Sequence, residues 1–194
     1  DIDGEGSSDY FGYSVSLSSD GSVLAIGGIY DDGASYDAGH VRIYENNNGT
    51  WTQIGSDIDG EGSSDYSGSA VSLSSDGSVV AIGAYANDGG GTNSGHVRIY
   101  ENNNGTWTQI GSDIDGEAAN DQSGESISIS GDGSTIAIGA TRNDGNGSNS
   151  GHVRIYENNN GTWTQIGSDI DGEAADDASG NSVSLSYDGS TVAI

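Results

Sequence analysis

Polar and apolar residues alternate through Ser14-Val15-Ser16-Leu17-Ser18, the period of two that a half-buried β-strand imposes because successive side chains leave opposite faces. An Asp20-Gly21 turn follows, and then Val23-Leu24-Ala25-Ile26-Gly27, a short unbroken apolar run of the kind carried by a strand covered on both faces. This run is predicted to be the innermost or best buried strand. A polar loop from Asp31 to Gly39 leads to His40-Val41-Arg42-Ile43-Tyr44, after which Asn48-Gly49 is the strongest dipeptide signal for a type I′ hairpin. Thr50-Trp51-Thr52-Gln53-Ile54 makes a fourth strand, and no segment carries a helical period.

The pattern then repeats. Asp-Ile-Asp-Gly-Glu begins at Asp1, Asp57, Asp113 and Asp169, a period of 56 residues, and the segment Gly39–Glu61 recurs unchanged as Gly95–Glu117 and Gly151–Glu173. Copies this alike need equivalent environments, which favours a stacked or radial array over one asymmetric core. The expected fold is all-β: four-stranded antiparallel β-propeller blades at residues 1–56, 57–112 and 113–168, with a partial copy at 169–194. Three and a half units do not close a ring of four to eight blades. Two chains completing one ring, or a longer array of which this is a piece, would account for that, and the longer array is favoured because the half-copies are not complementary.

Composition narrows the partners. Thirty acidic residues against four Arg give a formal charge of −26, so phosphate backbones and anionic headgroups are repelled; nucleic acid and membrane insertion are not expected. No stretch approaches the roughly 18 apolar residues of a membrane helix. Such charge is tolerable where salt screens over about 8–10 Å or where divalent cations sit among carboxylates, which points to seawater-like or calcium-containing surroundings. With no Cys there is no disulfide framework, and with no initiator Met the chain is expected to be a portion of something longer. Low hydrophobicity and high charge favour disorder in general, but regular alternation at fixed spacing marks a folded chain.

Phe11-Gly12-Tyr13-Ser14-Val15 followed by Val23-Leu24-Ala25-Ile26-Gly27-Gly28 resembles the FG-GAP repeat of integrin α-subunit propellers and bacterial surface proteins, over essentially the whole chain. The Phe becomes Ser67, Ser123 and Ser179 in later copies while Gly68, Gly124 and Gly180 remain, and the closing Gly-Ala-Pro reads Gly83-Ala84-Tyr85 and Gly139-Ala140-Thr141. The resemblance implies a seven-bladed, extracellular, interaction-type propeller.

Asp1, Asp3, Glu5 and Asp9 occupy positions one, three, five and nine of an acidic run with Gly6 at its turn, and hard oxygens at that spacing can wrap calcium. The same set recurs as Asp57, Asp59, Glu61, Asp65; as Asp113, Asp115, Glu117, Asp121; and as Asp169, Asp171, Glu173, Asp177, although Ala118 and Ala174 replace the turn glycine. The run is similar to the calcium loop of integrin-type blades, where it joins the first two strands; here it lies between blades. The competing reading is a solvated strand end whose Ile2 points inward. His40, His96 and His152 each stand alone in their copy, so zinc would need ligands from different blades, and a structural role at a strand start is expected. Arg42, Arg98 and Arg154 share a face with these histidines, whereas Arg142 sits in a variable loop. Trp51, Trp107 and Trp163, recurring with the period, read as blade packing before sugar stacking.

No activated nucleophile or phosphate-cradling motif is present, and the carboxylates repeat rather than form one special pair, so no enzyme is expected. The first functional expectation is a non-catalytic extracellular structural or adhesive module, calcium-stiffened, associating with itself or with neighbouring repeats. The alternative is a ligand-binding propeller that recognises glycans or a partner protein through loops of one face, with Tyr30, Tyr36 and Tyr85 as exposed aromatics.

Overall fold

The computed structural model describes residues 1–194 and places strands where the period-two pattern runs. The first sheet holds β1 (Phe11–Leu17), β2 (Val23–Gly28), β3 (His40–Asn47), β4 (Thr50–Gln53) and the short β5 (Ile58–Asp59). The second holds β6 (Ala70–Leu73), β7 (Val79–Ala84), β8 (His96–Asn103), β9 (Thr106–Gln109) and β10 (Ile114–Asp115). The third holds β11 (Ser126–Ile129), β12 (Thr135–Ala140), β13 (His152–Asn158), β14 (Trp163–Gln165) and β15 (Ile170–Asp171), and β16 (Ser184–Leu185) with β17 (Val192–Ala193) starts a fourth. Each full sheet is an antiparallel meander, β1-β2-β3-β4 in the first. These are propeller blades, as the sequence pattern predicts.

Local chemistry explains the turns. Asn48 and Gly49 have φ of 55° and 89°, the left-handed pair that a type I′ hairpin needs and that Asn and Gly adopt most readily. At the first hairpin, Asp20 Oδ1 accepts from the Ser22 hydroxyl, the Ser22 amide and the Ser18 hydroxyl, at 2.7, 2.9 and 2.8 Å. Those bonds hold its carboxyl down at about 2.

The outermost strand is in two pieces. Tyr44–Asn47 pair with β4, whereas His40 and Val41 pair with Asp59 and Ile58 of β5. Each blade is therefore finished by the first residues of the next repeat. Ile58 and Ile114 are buried at 7% and 6% exposure while Asp59 and Asp115 face solvent or the blade rim. The aspartates thus flank a strand end with its Ile inward, the geometry of the competing reading above.

No sheet has a core of its own. Ala25, Val41, Ile43 and Ile58 of the first blade pack against Leu73, Val80, Ile82 and Tyr100 of the second, and Ala81, Val97, Ile99 and Ile114 of the second pack against Ile129, Ile136, Ile138 and Tyr156 of the third. β1, β6, β11 and β16 touch in succession and take the inner position. β2, β7 and β12 are the best buried strands but stand second from the inside, because the alternating strand presents its serines to the next blade. The Leu73 amide donates to Ser16 Oγ at 3.0 Å, Ile129 to Ser72 Oγ at 3.1 Å and Leu185 to Ser128 Oγ at 2.9 Å.

Blades approach closely at glycines. A Cβ on Gly83 would stand 2.1 Å from the Gly124 carbonyl oxygen, and Gly27 and Gly139 meet Gly68 and Gly180 at the same distance. Gly83→Ala is expected to destabilise the chain by about 1–3 kcal/mol or more, since backbone must shift to admit the methyl. Urea denaturation measures this, and an unchanged midpoint would contradict the packing described.

Candidate functional site

The segment from Asp57 to Asp65 leaves the first blade along β5, turns, and enters the second. Three of its four carboxylates go to separate partners, and Asp59 is engaged through its backbone carbonyl. Asp57 Oδ1 accepts from Gln53 Nε2 at 2.6 Å, and the Asp59 carbonyl accepts from Arg98 Nη2 at 2.7 Å. Asp65, nearly buried, accepts through Oδ2 from the Gly62 amide at 2.9 Å and the Asn87 side-chain amide at 2.7 Å. Glu61 lies across the blade junction, with Oε1 3.6 Å from Arg98 Nη1 and Oε2 3.9 Å from His96 Nδ1.

The same arrangement is built one repeat on. Asp113 Oδ1 accepts from Gln109, the Asp115 carbonyl from Arg154 at 2.8 Å, and Asp121 from the Ala118 amide and Asn143. Glu117 stands 3.8 Å from His152. In the last copy Asp169 accepts from Gln165, Asp177 from the Ala174 amide, and Asp171 and Glu173 are exposed. In the first, Asp1 is exposed, the Asp3 carbonyl accepts from Arg42, Glu5 lies 3.5 Å from Arg42, and Asp9 accepts from the Gly6 amide. The carboxylates expected to share one calcium within a loop are not brought together in any copy.

What does come together crosses repeats. Oxygens of Glu61 and Asp113 and a ring nitrogen of His96 all lie within 4.8 Å of one another, and Glu117, His152 and Asp169 do likewise. Asp113 Oδ2 is 3.9 Å from His96 Nδ1, and Asp169 Oδ2 is 3.9 Å from His152 Nδ1. Burial, with the guanidinium of Arg98 second, pushes the His96 imidazole down to about 4; burial and then Arg154 lower His152. Partial desolvation, then Asp57 and Asp113 respectively, raise the carboxyls of Asp59 and Asp115. Sequence reasoning treated each His as solitary because its acidic neighbours are distant in sequence. The signal that could have joined them is the continuation of the fourth strand into Ile58-Asp59 and Ile114-Asp115, whose register sets Asp115 opposite His96.

A second cluster lies among the variable loops. Tyr30 sits edge-on between Tyr10 and Tyr66, at ring-centroid distances of 4.9 and 5.4 Å, and Tyr66 leads to Tyr85 at 5.5 Å. Tyr85, pushed up to about 12 by burial first, lines a shallow cavity of about 230 Å³ with Tyr13, Ser69, Gln122, Glu125 and Arg142. Tyr36 stays 69% exposed outside this row. The tryptophans pack between blades: Trp107 Nε1 donates to the Ile54 carbonyl and Trp163 Nε1 to that of Ile110, both at 3.0 Å.

Sheets that bury one another face to face and repeat with the sequence define a segment of a β-propeller. Residues 113–156 match the family model described as FG-GAP repeat, in agreement with the resemblance of the motifs. No curated protein matches the sequence. Among solved structures the fold is similar to a putative 6-phosphogluconolactonase from Bacteroides uniformis, at 16% identity and a TM-score of 0.57 over 81% of this chain and 39% of that one. It is also similar to a periplasmic gluconolactonase from Pseudomonas aeruginosa (13% identity, TM-score 0.54, 84% and 39% covered) and to Kuenenia stuttgartiensis hydrazine synthase (15%, 0.53, 93% and 40%). The chain spans about two fifths of the length of these structures, and the likeness is one of fold. No helix is long and apolar enough to cross a membrane.

The buried imidazoles set a pH dependence. Above about 6.5, the ordinary imidazole value, neither folded nor unfolded state protonates them; below it the unfolded chain takes up protons that folded His96 refuses until about 4. In chelator-treated protein the melting temperature should fall as pH is lowered through that window, and His96→Asn with His152→Asn should flatten the fall. A profile unchanged by the double substitution would contradict neutral, buried imidazoles.

Proposed function

We propose that the chain is a non-catalytic structural module of an extracellular, adhesive repeat protein, in which each blade is completed by a neighbouring blade of the same kind. The observation that carries this is the outer face of β1. Val15 and Leu17 are 62% and 57% exposed, whereas Leu73 and Ile129, the copies of Leu17, are buried at 7% against the preceding blade. A face of that shape fits another copy of this repeat, from the same chain or a second one. Repetition also argues against catalysis, because near-identical residues recur at every junction instead of converging once. The charge of −26 and the FG-GAP motif favour an extracellular setting. Calcium stiffening through the acidic loops forms no part of this reading, since no loop brings three of its own carboxylates together.

A second reading, recognition of a glycan or partner protein through one loop face, is favoured by the tyrosine row Tyr10, Tyr30, Tyr66 and Tyr85 beside the cavity that Arg142 lines. Aromatic faces with a cation at their edge suit sugar rings and acidic groups. Tyr10 and Tyr66 are one repeat position that becomes Gln122 in the third copy, whereas Tyr30 is replaced by Ala86 and Arg142 and Tyr85 by Ile29 and Thr141, as on a diversified surface.

Placing a further copy of residues 57–112 ahead of Asp1 tests the first reading. The added blade should raise the urea midpoint, and Leu17→Glu, nearly neutral in the present chain, should then cost about 2 kcal/mol or more, as a charge forced into an apolar interface does. An extended chain with an unchanged midpoint and an indifferent Leu17→Glu would contradict it. For the second reading, glycan-array binding that Tyr85→Ala abolishes without change in melting temperature is the expected result, and no binding above background the opposing one.

A further inference from the structure

We propose that Glu61 with His96 and Asp113, and again Glu117 with His152 and Asp169, are divalent-cation sites of the zinc class that clamp each blade to the segment leaving the blade before it. The backbone brings the groups together. His96 opens β8, Asp113 directly precedes β10, which pairs with β8, and Glu61 follows β5 of the preceding sheet. Two ligands thus come from one blade and the third from its neighbour, and both sites are built by the same repeat.

The donor set has an imidazole turned into a gap between carboxylates. The His96 side chain is 2% exposed and that of His152 1%, and Nδ1 of each has no hydrogen-bond partner although carboxylate oxygens stand 3.8–3.9 Å away. A buried nitrogen left unpaired is costly, and that distance is too long for a hydrogen bond but near the separation of two ligands on one ion. Bonds of about 2.0–2.2 Å to nitrogen and oxygen put ligand atoms roughly 3.4 Å apart in a tetrahedron, so Glu61 and Asp113 must each close on the imidazole by about half an ångström. The remaining oxygens are already held: Asp113 Oδ1 by Gln109 at 2.6 Å and Glu61 Oε1 near Arg98 at 3.6 Å. Such anchoring orients ligands toward a shared point. Imidazole with two carboxylates suits zinc and its first-row neighbours, whereas calcium and magnesium favour all-oxygen shells. Three protein ligands leave a position for water.

The first copy is an internal contrast. It contains Glu5, His40 and Asp57, but no such cluster forms, because His40 Nδ1 lies 3.0 Å from Asp31 Oδ1. Position 31 is Asp where the later copies have Asn87 and Asn143, whose amides turn instead to Asp65 and Asp121. One carboxylate therefore stands against that ring nitrogen in the first copy, out of hydrogen-bonding alignment, where in the other copies the nitrogen faces the gap between a Glu and an Asp. The inference rests on this geometry and holds whether the chain is a scaffold or a ligand-binding propeller.

The test is calorimetric titration of the metal-freed full chain with zinc chloride, alongside melting temperatures with zinc, manganese, calcium and magnesium at constant ionic strength. Zinc should bind at two equivalents per chain, one for each cluster, and raise the melting temperature, with calcium and magnesium giving no such rise. Glu61→Gln with Glu117→Gln, near-isosteric changes at exposed positions that keep the fold, should abolish saturable zinc uptake. Asp31→Asn, which gives the first copy the asparagine of the others, should add a third equivalent. Cobalt substitution should give a visible d–d spectrum of mixed nitrogen and oxygen ligation. Absence of saturable zinc binding, uptake indifferent to the double Gln variant, an Asp31→Asn chain that still takes up two equivalents, or a calcium effect equal to that of zinc would each overturn the proposal.

Discussion

Burial of one blade face against the next is the constraint from which the rest follows. A four-stranded sheet one residue thick cannot shelter both of its apolar faces, so Ala25, Val41 and Ile43 become core only when Leu73, Val80 and Ile82 are laid over them. Each such aliphatic residue contributes roughly 1.5–3 kcal/mol when fully covered, and the contribution is shared between units rather than owned by one. This is why the repeats are so alike: a surface that must fit its own copy on both sides has little freedom to vary. It is also why Gly27, Gly83 and Gly139 stand where the backbones of adjoining blades nearly touch.

Apolar faces alone would allow blades to slide, and directional contacts fix their register. Serine hydroxyls on the inner strands accept amides of the following blade, tryptophan indoles on the outer strands donate to carbonyls of the preceding one, and Arg98 and Arg154 reach back to the Asp59 and Asp115 carbonyls. Three of the four cations in a chain of charge −26 are spent in this way, each buried at a blade rim beside a glutamate. The fourth, Arg142, is the one in a variable loop, beside the tyrosine-lined cavity. The blade-to-blade contacts thus lie in the repeated strands, and the residues around that cavity lie in loops that differ between copies.

Much of this was readable from the sequence because it is local. Period-two alternation located the strands, Asn48-Gly49 the type I′ turn, and the perfect recurrence of Trp107 and Trp163 their packing role. What escaped was non-local. Ile58-Asp59 looked like the start of a repeat and is the end of a sheet, because nothing in its own residues says that the chain resumes pairing after the bend at Gly55 and Ser56. That displacement decides the candidate site: it moves Asp113 beside His96, carries Glu61 across the junction, and disperses the carboxylates that spacing alone would have grouped. The exchange of Asp31 for Asn87 and Asn143 was visible as a substitution, but its consequence for His40 depended on a side-chain contact that no periodicity encodes.

The claim that blades are ordered by their neighbours is tested most directly by hydrogen exchange at the three indole N–H groups, resolved in an amide correlation spectrum. Trp51, Trp107 and Trp163 lie in the same local sequence, Asn-Gly-Thr-Trp-Thr-Gln-Ile, yet Trp107 and Trp163 donate to the preceding blade while Trp51 has no such acceptor. Slow exchange at Trp107 and Trp163 with fast exchange at Trp51 is the predicted result. Equal exchange at all three would mean that protection comes from within each unit, and would contradict the account.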